Sequence, residues 1–472
     1  MKQAEVGKQC KKSNCINFIS LIIFGLISVS IASKELHANE KLHTSKEQPI
    51  SDPQLAVWKN ELWKKAEQLQ IKRSTFDRAI KTLEPNYKLP RVRTHKAWAQ
   101  IKRAQEKSKK TGSKKPVTKN GLPLSCYRPR QSEFLFPTKY FPKKHMNSLV
   151  SRGKILKKKY GKTFKEIEEK YGVDIRAVLG IWGRETAFGA AKNRFDGVKT
   201  LLSLAYASAP EKREQHTTNL LSALKFIDDG HISIKNFKTS FAGATGYPQF
   251  TPDVFEQYAV DWDGDGRKNI WSNVPDAVAS AANYLKGIGW QRNQTWGFEV
   301  EVPDNFDCWQ EGPKSRMPVA SWLKQGVRRA DDHQGRAQKF PNQNLLAQFM
   351  APAGMKGPKF LVFENFEVFR RYNKADLYAL FVGQLGNKIY CRGNAENCEF
   401  RTKWPQKDTF NFTRKRICEM QSHLKNSKAS DETPDGLFGG KTRRGIGTFE
   451  MQNNLQKTCF PTQKLLKILR NK

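Results

Sequence analysis

From about residue 145 to 290 the apolar positions recur every three or four residues. The runs MNSLVSRGKILKKKY, EIEEKYGVDIRAVLGIWGRETAFG, TTNLLSALKFIDDG and VPDAVASAANYLKGIGW therefore predict packed amphipathic helices. Upstream, LAVWKNELWKKAEQLQI places Leu55, Trp58, Leu62 and Leu69 at helical spacing and begins the folded part near residue 52. Two later runs, GFEVEV and KFLVFENFEVF, are rich in β-branched and aromatic residues and predict short strands. The pattern is that of an α+β chain, predominantly α-helical, with a minor sheet. A composition break at about 391–412 precedes a small C-terminal unit, residues 413–472, and no solenoid repeat is present.

One stretch does not fit a folded core. Residues 1–15 are basic and lead into the apolar run INFISLIIFGLISVSIA, residues 16–32, where Ser30-Ile31-Ala32 gives a small-x-small cleavage site; Ala38 is the alternative. Residues 1–32 read as a signal peptide and the chain as exported to the periplasm, with an uncleaved membrane anchor as the competing reading. No cysteine follows in lipobox position. Export changes the meaning of the six cysteines beyond that segment. Disulfides are expected rather than zinc ligands, and proximity suggests Cys391 with Cys398 and Cys418 with Cys459, leaving Cys126 with Cys308.

The chain has 472 residues, suggesting two to four domains, with 83 Lys plus Arg against 45 Asp plus Glu, a net charge of +38. Such a surplus implies a polyanionic neighbour, and export makes it an anionic envelope polymer rather than nucleic acid. The surplus is uneven: residues 91–120 hold eleven Lys or Arg against Glu106 alone and read as a solvated insertion, or else as a contact strip for acidic polymer.

Three segments carry candidate chemistry. In DIRAVLGIWGRETAFG, residues Ile175, Val178 and Trp182 share a helix face whose next position is Glu185, so a carboxylate sits where the helix should be apolar. Desolvation at such a position favours the protonated form that a general acid needs; the bland alternative is a structural Glu paired with a base such as Arg184. Gly183 and Gly189 would let a substrate or another backbone approach. SFAGATGYPQFTP, residues 240–252, reads as an irregular wall with exposed backbone. DWDGDGRKNIWS, residues 261–272, has the register of a calcium loop: Asp261, Asp263 and Asp265 would give side-chain oxygens and Arg267 its carbonyl. Ser272 stands where the bidentate acid belongs, Asp276 is a displaced substitute, and a metal-free Asp turn is the alternative.

Taken in order, YGVDIRAVLGIWGRETAFG, SFAGATGYPQF, YAVDWDGDGRKNIW, VPDAVASAANYLKGIGW and YNKADLYALFVGQLG resemble the lytic murein transglycosylases of the membrane-bound B type, glycoside hydrolase family 103. The resemblance spans about residues 150–390, is weaker upstream to 52, and implies a lysozyme-like catalytic region over 52–390. It implies cleavage of the β-1,4 bond between N-acetylmuramic acid and N-acetylglucosamine in peptidoglycan strands, leaving 1,6-anhydromuramoyl ends. Glu185 falls at the family's single catalytic acid; Ser240, Gln249, Tyr372 and Asn373 fall at substrate contacts. The Asp261 to Arg267 loop falls on the family's metal loop, so a structural Ca2+ is implied while the chemistry itself needs no cofactor. PDGLFGGKTRRGIGTFEMQNNL, with Ile446, Phe449 and Gln452 on one helix face, is similar to a small peptidoglycan-binding domain. A muramidase that uses water, and a cell-wall-binding protein without turnover, are the competing functional readings.

Overall fold

Side-chain caps start several of the helices, and glycines permit two of them to cross closely. The computed structural model describes residues 53–93, 118–119, 122–123, 126, 136–332, 334–392, 398–405 and 413–471. The basic and apolar segment 1–32, and all but the ends of the 91–120 tract, lie outside the described residues. Ser51–Lys472 form one compact unit, and among its described residues no helix is long and apolar enough to cross a membrane.

Helix α1 (Pro53–Gln68) buries Leu55, Leu62 and Ala66. It stops at Gln68, so Leu69 falls off the buried stripe and is 46% exposed. Next come α2 (Arg73–Ile80), the one-turn α3 (Pro137–Tyr140) and the long α4 (Lys143–Tyr171), which ends on Gly172 in the left-handed region. Helix α5 (Ile175–Thr186) starts where the Asp174 carboxylate accepts the Arg176 N–H, and α6 (Gly197–Ala207) where Asp196 accepts that of Lys199. Helices α7 (Pro210–Asp228), α8 (Pro252–Tyr258) and α9 (Val274–Gly287) complete the first helical array, the last capped by Asn273.

Strands β1 (Thr118–Lys119) and β2 (Leu122–Pro123) pair with each other, as do β3 (Phe195–Asp196) and β4 (Lys238–Thr239). The main sheet is antiparallel, in the order β6 (Met317–Pro318), β8 (Leu346–Met350), β9 (Lys359–Val362), β5 (Gly297–Glu301), β7 (Arg328–Arg329). Helix α10 (Val319–Lys324) lies within it in sequence. Only the first part of KFLVFENFEVF is strand; from Glu364 the chain turns into α11 (Glu364–Tyr372), whose buried Phe366, Val368 and Phe369 follow helical rather than alternating spacing. Helix α12 (Asp376–Ile389) then crosses α5 in the main core.

That crossing is backbone against backbone. A Cβ on Gly180 would lie 2.2 Å from the Val382 carbonyl oxygen, and one on Gly386 would lie 2.2 Å from that of Arg176. A Cβ on Gly183 would lie 2.6 Å from the Leu385 side chain. Small residues on both helices thus set the distance between α5 and α12.

The C-terminal unit consists of α13 (Arg414–Asn426), α14 (Gly440–Gln452) and α15 (Gln463–Arg470) around Ile417, Met420, Leu424, Ile446, Phe449 and Leu466. Gln452, expected on the face of Ile446 and Phe449, is exposed. Both glycines in the middle of α14 are close-packed: a Cβ on Gly445 would lie 3.0 Å from that of Ser430, and one on Gly447 2.3 Å from the Cys459 sulfur and 3.1 Å from the Trp309 nitrogen. Arg443 of α14 is fully buried and donates to Glu311 through Nε and Nη2, at 2.5–3.0 Å, and to Asp376 through Nη2 at 3.1 Å. Burial works against the Arg443 charge, but the two carboxylates outweigh it and raise its pKa above the ordinary value. Removing one member of such a buried set costs about 3–5 kcal/mol, because it strands the others.

Disulfides join Cys126 with Cys418, Cys308 with Cys459, and Cys391 with Cys398. The local pair is as expected; the pairs Cys418–Cys459 and Cys126–Cys308 are not formed. Proximity in sequence misleads because α14 packs on the turn at Cys308, bringing Cys459 there, while Cys418 on α13 faces Leu122 and Cys126.

Gly180→Ala and Gly386→Ala should each destabilise the protein by at least about 1–3 kcal/mol, the cost of overpacking a dense core. Urea unfolding checks this, and wild-type midpoints for both variants would rule out the backbone contact.

Candidate active site

Glu185 occupies the last turn of α5, and the residues that follow it are held in an unusual conformation. Ala187, Phe188 and Gly189 have φ of 48°, 58° and 79°, three successive left-handed residues that break the helix directly after Thr186. Thr186 Oγ1 accepts the Gly189 N–H at 3.2 Å and donates to the Tyr247 carbonyl at 3.1 Å. A Cβ on Gly189 would lie 2.5 Å from the Tyr247 ring. The space that Gly183 and Gly189 leave is therefore filled by the protein itself. Non-glycine residues at positive φ cost about 1–3 kcal/mol each and cluster at functional sites.

The 240–250 loop packs against this helix end. Tyr247 stacks on Trp182 with centroids 5.1 Å apart, and Tyr247 N–H donates to the Ile270 carbonyl at 2.9 Å. Thr245 and Phe250 form a single antiparallel bridge around the turn. Gln249 sits at φ 53°, its amide Nε2 donating back to the Gly246 carbonyl at 2.7 Å. Ser240 Oγ accepts the N–H groups of Ala242 and Ala244 at 3.3 and 3.2 Å, which fixes the mouth of the loop.

The opposite wall comes from the turn between α11 and α12. The Tyr378 hydroxyl donates to Glu185 Oε1 at 2.5 Å. Tyr372 lies nearly parallel to Tyr378, with centroids 6.4 Å apart, and its hydroxyl donates to the Pro248 carbonyl, next to Gln249. Asn373 ends α11, and its Oδ1 accepts the Ala375 N–H at 3.2 Å. Both phenols are pushed well above the ordinary value, first by burial and then by the Glu185 charge, so both remain donors. Arg184 turns away: its Nε donates to Tyr140 Oη at 3.0 Å, and its guanidinium lies over the Tyr140 and Phe381 rings.

Glu185 is thus joined to Tyr378, Tyr372 and the Pro248–Gln249 turn by an unbroken run of contacts. Tyr378 and Tyr247 were not among the residues singled out from sequence. The available signal for Tyr378 was a hydroxyl inside the otherwise apolar LYALFV turn of α12, and for Tyr247 an aromatic between glycine and proline.

Of the acidic loop, Asp261, Asp263 and Asp276 come together, with one carboxylate oxygen of each within 4.8 Å of the others. Asp261 accepts the Gly264 and Gly266 N–H groups at 2.8 Å each, and buried Asp276 accepts those of Trp262 and Asn269 at 2.8 and 2.7 Å. Burial raises the Asp276 pKa against the pull of those two donors. Asp265 does not belong to the group; its carboxylate accepts the Arg267 N–H, and both residues are exposed. The loop is tied to the site by Trp271, whose Nε1 donates to Thr245 Oγ1 at 2.6 Å.

The chain is 30% identical over 242 residues to membrane-bound lytic murein transglycosylase B of Escherichia coli K12; the match takes in 51% of this chain and 63% of that protein's length. Its fold superposes with a TM-score of 0.69 on SltB3 from Pseudomonas aeruginosa, solved in complexes with NAG-anhNAM-pentapeptide and NAG-NAM-pentapeptide. It is 29% identical to SltB3, covering 88% of this chain and 99% of that one. SltB1 of the same organism, 22% identical with a TM-score of 0.52 over 71% of this chain and 98% of that one, shares the fold. The family model described as the transglycosylase SLT domain matches residues 54–387, from the start of α1 nearly to the end of α12, and the chain belongs to that family.

Proposed function

We propose that this chain is a lytic transglycosylase that cleaves the β-1,4 bond between N-acetylmuramic acid and N-acetylglucosamine in peptidoglycan and leaves 1,6-anhydromuramoyl ends. The observation that carries this reading is the Tyr378 hydroxyl on Glu185 Oε1, in a wall completed by Tyr372 and the Gln249 turn. With Oε1 taken as an acceptor, the proton to be delivered is carried on Oε2. Glu185 gives that proton to the leaving glycosidic oxygen as the bond to the muramoyl anomeric carbon breaks. The carboxylate so formed is held by the Tyr378 O–H. It then takes the proton of the muramoyl 6-hydroxyl, whose oxygen closes on the anomeric carbon, and Glu185 ends as it began. An ordinary glycosidase needs a second carboxylate to activate water or to form a glycosyl ester. Here the 6-hydroxyl is the nucleophile, and Ser240, Gln249, Tyr372 and Asn373 are its positioning wall.

The remaining parts of the reading rest on the residues concerned. The basic and apolar pattern of residues 1–32 supports export to the periplasm, and the chain's charge surplus supports contact with anionic envelope polymers. The C-terminal unit is assigned to peptidoglycan binding on its DGLFG turn and following helix. The oxygens of Asp261, Asp263 and Asp276 suit a hard cation, and a calcium ion there would offset most of the charge of three converging carboxylates and brace the Trp271–Thr245 link. Its role is structural.

Glu185→Gln should lower formation of anhydromuramoyl ends from purified peptidoglycan by roughly a hundred- to ten-thousandfold. Mass spectrometry of the products checks this, and reducing ends from the wild type would make the enzyme a muramidase instead.

The two raised phenols set an alkaline limit. The unfolded chain releases a tyrosine proton at about pH 10, whereas the folded site retains it, so this stability is whole below that pH and falls above it. The slope is at most about 1.4 kcal/mol per pH unit for each phenol. Tyr378→Phe should flatten the fall of urea midpoints between about pH 9 and 11; an unchanged slope would count against the buried donor.

Calcium at a hundredfold excess over its dissociation constant should stabilise the fold by about 2.7 kcal/mol. Asp263→Ala should abolish that shift in melting scans, and a wild-type protein that melts identically in calcium and in chelator would remove the ion from the account.

A further inference from the structure

Where the C-terminal unit meets the catalytic helices, the surface encloses a cleft of about 590 Å3. One side is built by Lys314, Met350, Phe366 and the α11–α12 turn, the other by α13 and the segment leading into α14. The cleft exists because Arg443 of α14 holds Glu311 and Asp376 of the catalytic side.

Its charges are unequal in a way the residue count hides. The carboxylates on its wall are all engaged: Glu311 and Asp376 by Arg443, Glu432 by Lys441 at 2.9 Å, and Asp435 by the Leu437 N–H at 2.8 Å and the Gln421 amide at 3.0 Å. Lys314 and Lys374, both exposed at the rim, make no ion pair among the described residues. Lys314 and Lys374, each without a carboxylate partner among the described residues, therefore stand over a floor that includes Met350, Phe366, Leu424 and Leu437; Arg444, also in the lining, donates to the Glu311 carbonyl. Volumes of about 300–1,000 Å3 with apolar walls and a few polar groups are those of small-ligand sites.

The position is as informative as the chemistry. Lys374 immediately follows Tyr372 and Asn373, and Asp376 precedes Tyr378 by two residues. One turn of chain thus presents its tyrosines to Glu185 and its charged residues to the cleft.

We propose that the cleft binds the peptide stem of the glycan strand, a short peptide with carboxylates for Lys314 and Lys374 and small apolar side chains for the floor. This rests on the function proposed above and deepens it: the substrate is a stem-bearing strand rather than a bare one, and the C-terminal unit completes the stem's site.

The test uses the full chain and two substrates, strands with intact stems and the same strands stripped by an N-acetylmuramoyl-L-alanine amidase. In Lys314→Glu/Lys374→Glu, the ratio of kcat/KM for stem-bearing to stripped strands should fall about fivefold or more, the scale of two exposed charge contacts reversed. Calorimetry with the isolated stem pentapeptide supplies a readout that needs no turnover. The wild type and Glu185→Gln should bind it alike, and the double variant at least about fivefold more weakly. Lys314→Gln/Lys374→Gln, which cannot repel, should fall between. An unchanged ratio, an equal loss on both substrates, or pentapeptide binding untouched by the lysines overturns the proposal. Failure of the catalytic reading is seen separately, as no anhydro ends from either substrate in the wild type.

Discussion

The distance between α5 and α12 governs this molecule. Glycine on both helices removes the side chains that would hold them apart, and the helices meet through carbonyl oxygens at Val382 and Arg176. Glu185 is in the last turn of one helix and Tyr378 in the first turn of the other, so the crossing determines whether a phenol reaches the carboxylate. A hydrogen bond of 2.5 Å leaves little tolerance for a methyl group's displacement. For the acid role proposed for Glu185 such a fixed partner matters, since a freely rotating carboxyl would spend part of its time in unproductive orientations.

The second constraint is strain. After Thr186 the chain runs through three left-handed residues, and Gln249 across the site is a fourth. Packing holds them: Tyr247 fills the space above Gly189, stacks on Trp182 and accepts from Thr186, while Tyr372 ties down Pro248. These contacts use aromatic rings as spacers, since their shape is fixed and their hydroxyls give direction.

Much of this was legible in the sequence, and the divisions are instructive. Glu185 announced itself by breaking an apolar stripe, and the irregular 240–252 loop by its glycines and prolines, because both signals are local. Asp276 could be named as a substitute ligand since its distance along the chain is one loop. Tyr378 could not, because its meaning comes from a residue 193 positions away. The same reason defeats the cysteine pairing: separations of 292 and 151 carry no local trace, whereas the separation of 7 was read correctly. KFLVFENFEVF misleads differently, as a strand and a helix share one aromatic composition and divide at Glu364, where only the period changes.

Arg443 connects these scales. A buried ion set is a poor source of net stability, since desolvation consumes most of the attraction, but it is demanding of geometry. Here it fixes α14 to Asp376, at the first turn of the helix that carries Tyr378. The C-terminal unit is therefore keyed to the same turn that presents the phenol to Glu185. An apolar seam of equal area would allow the unit to slide; a guanidinium held on two carboxylates does not.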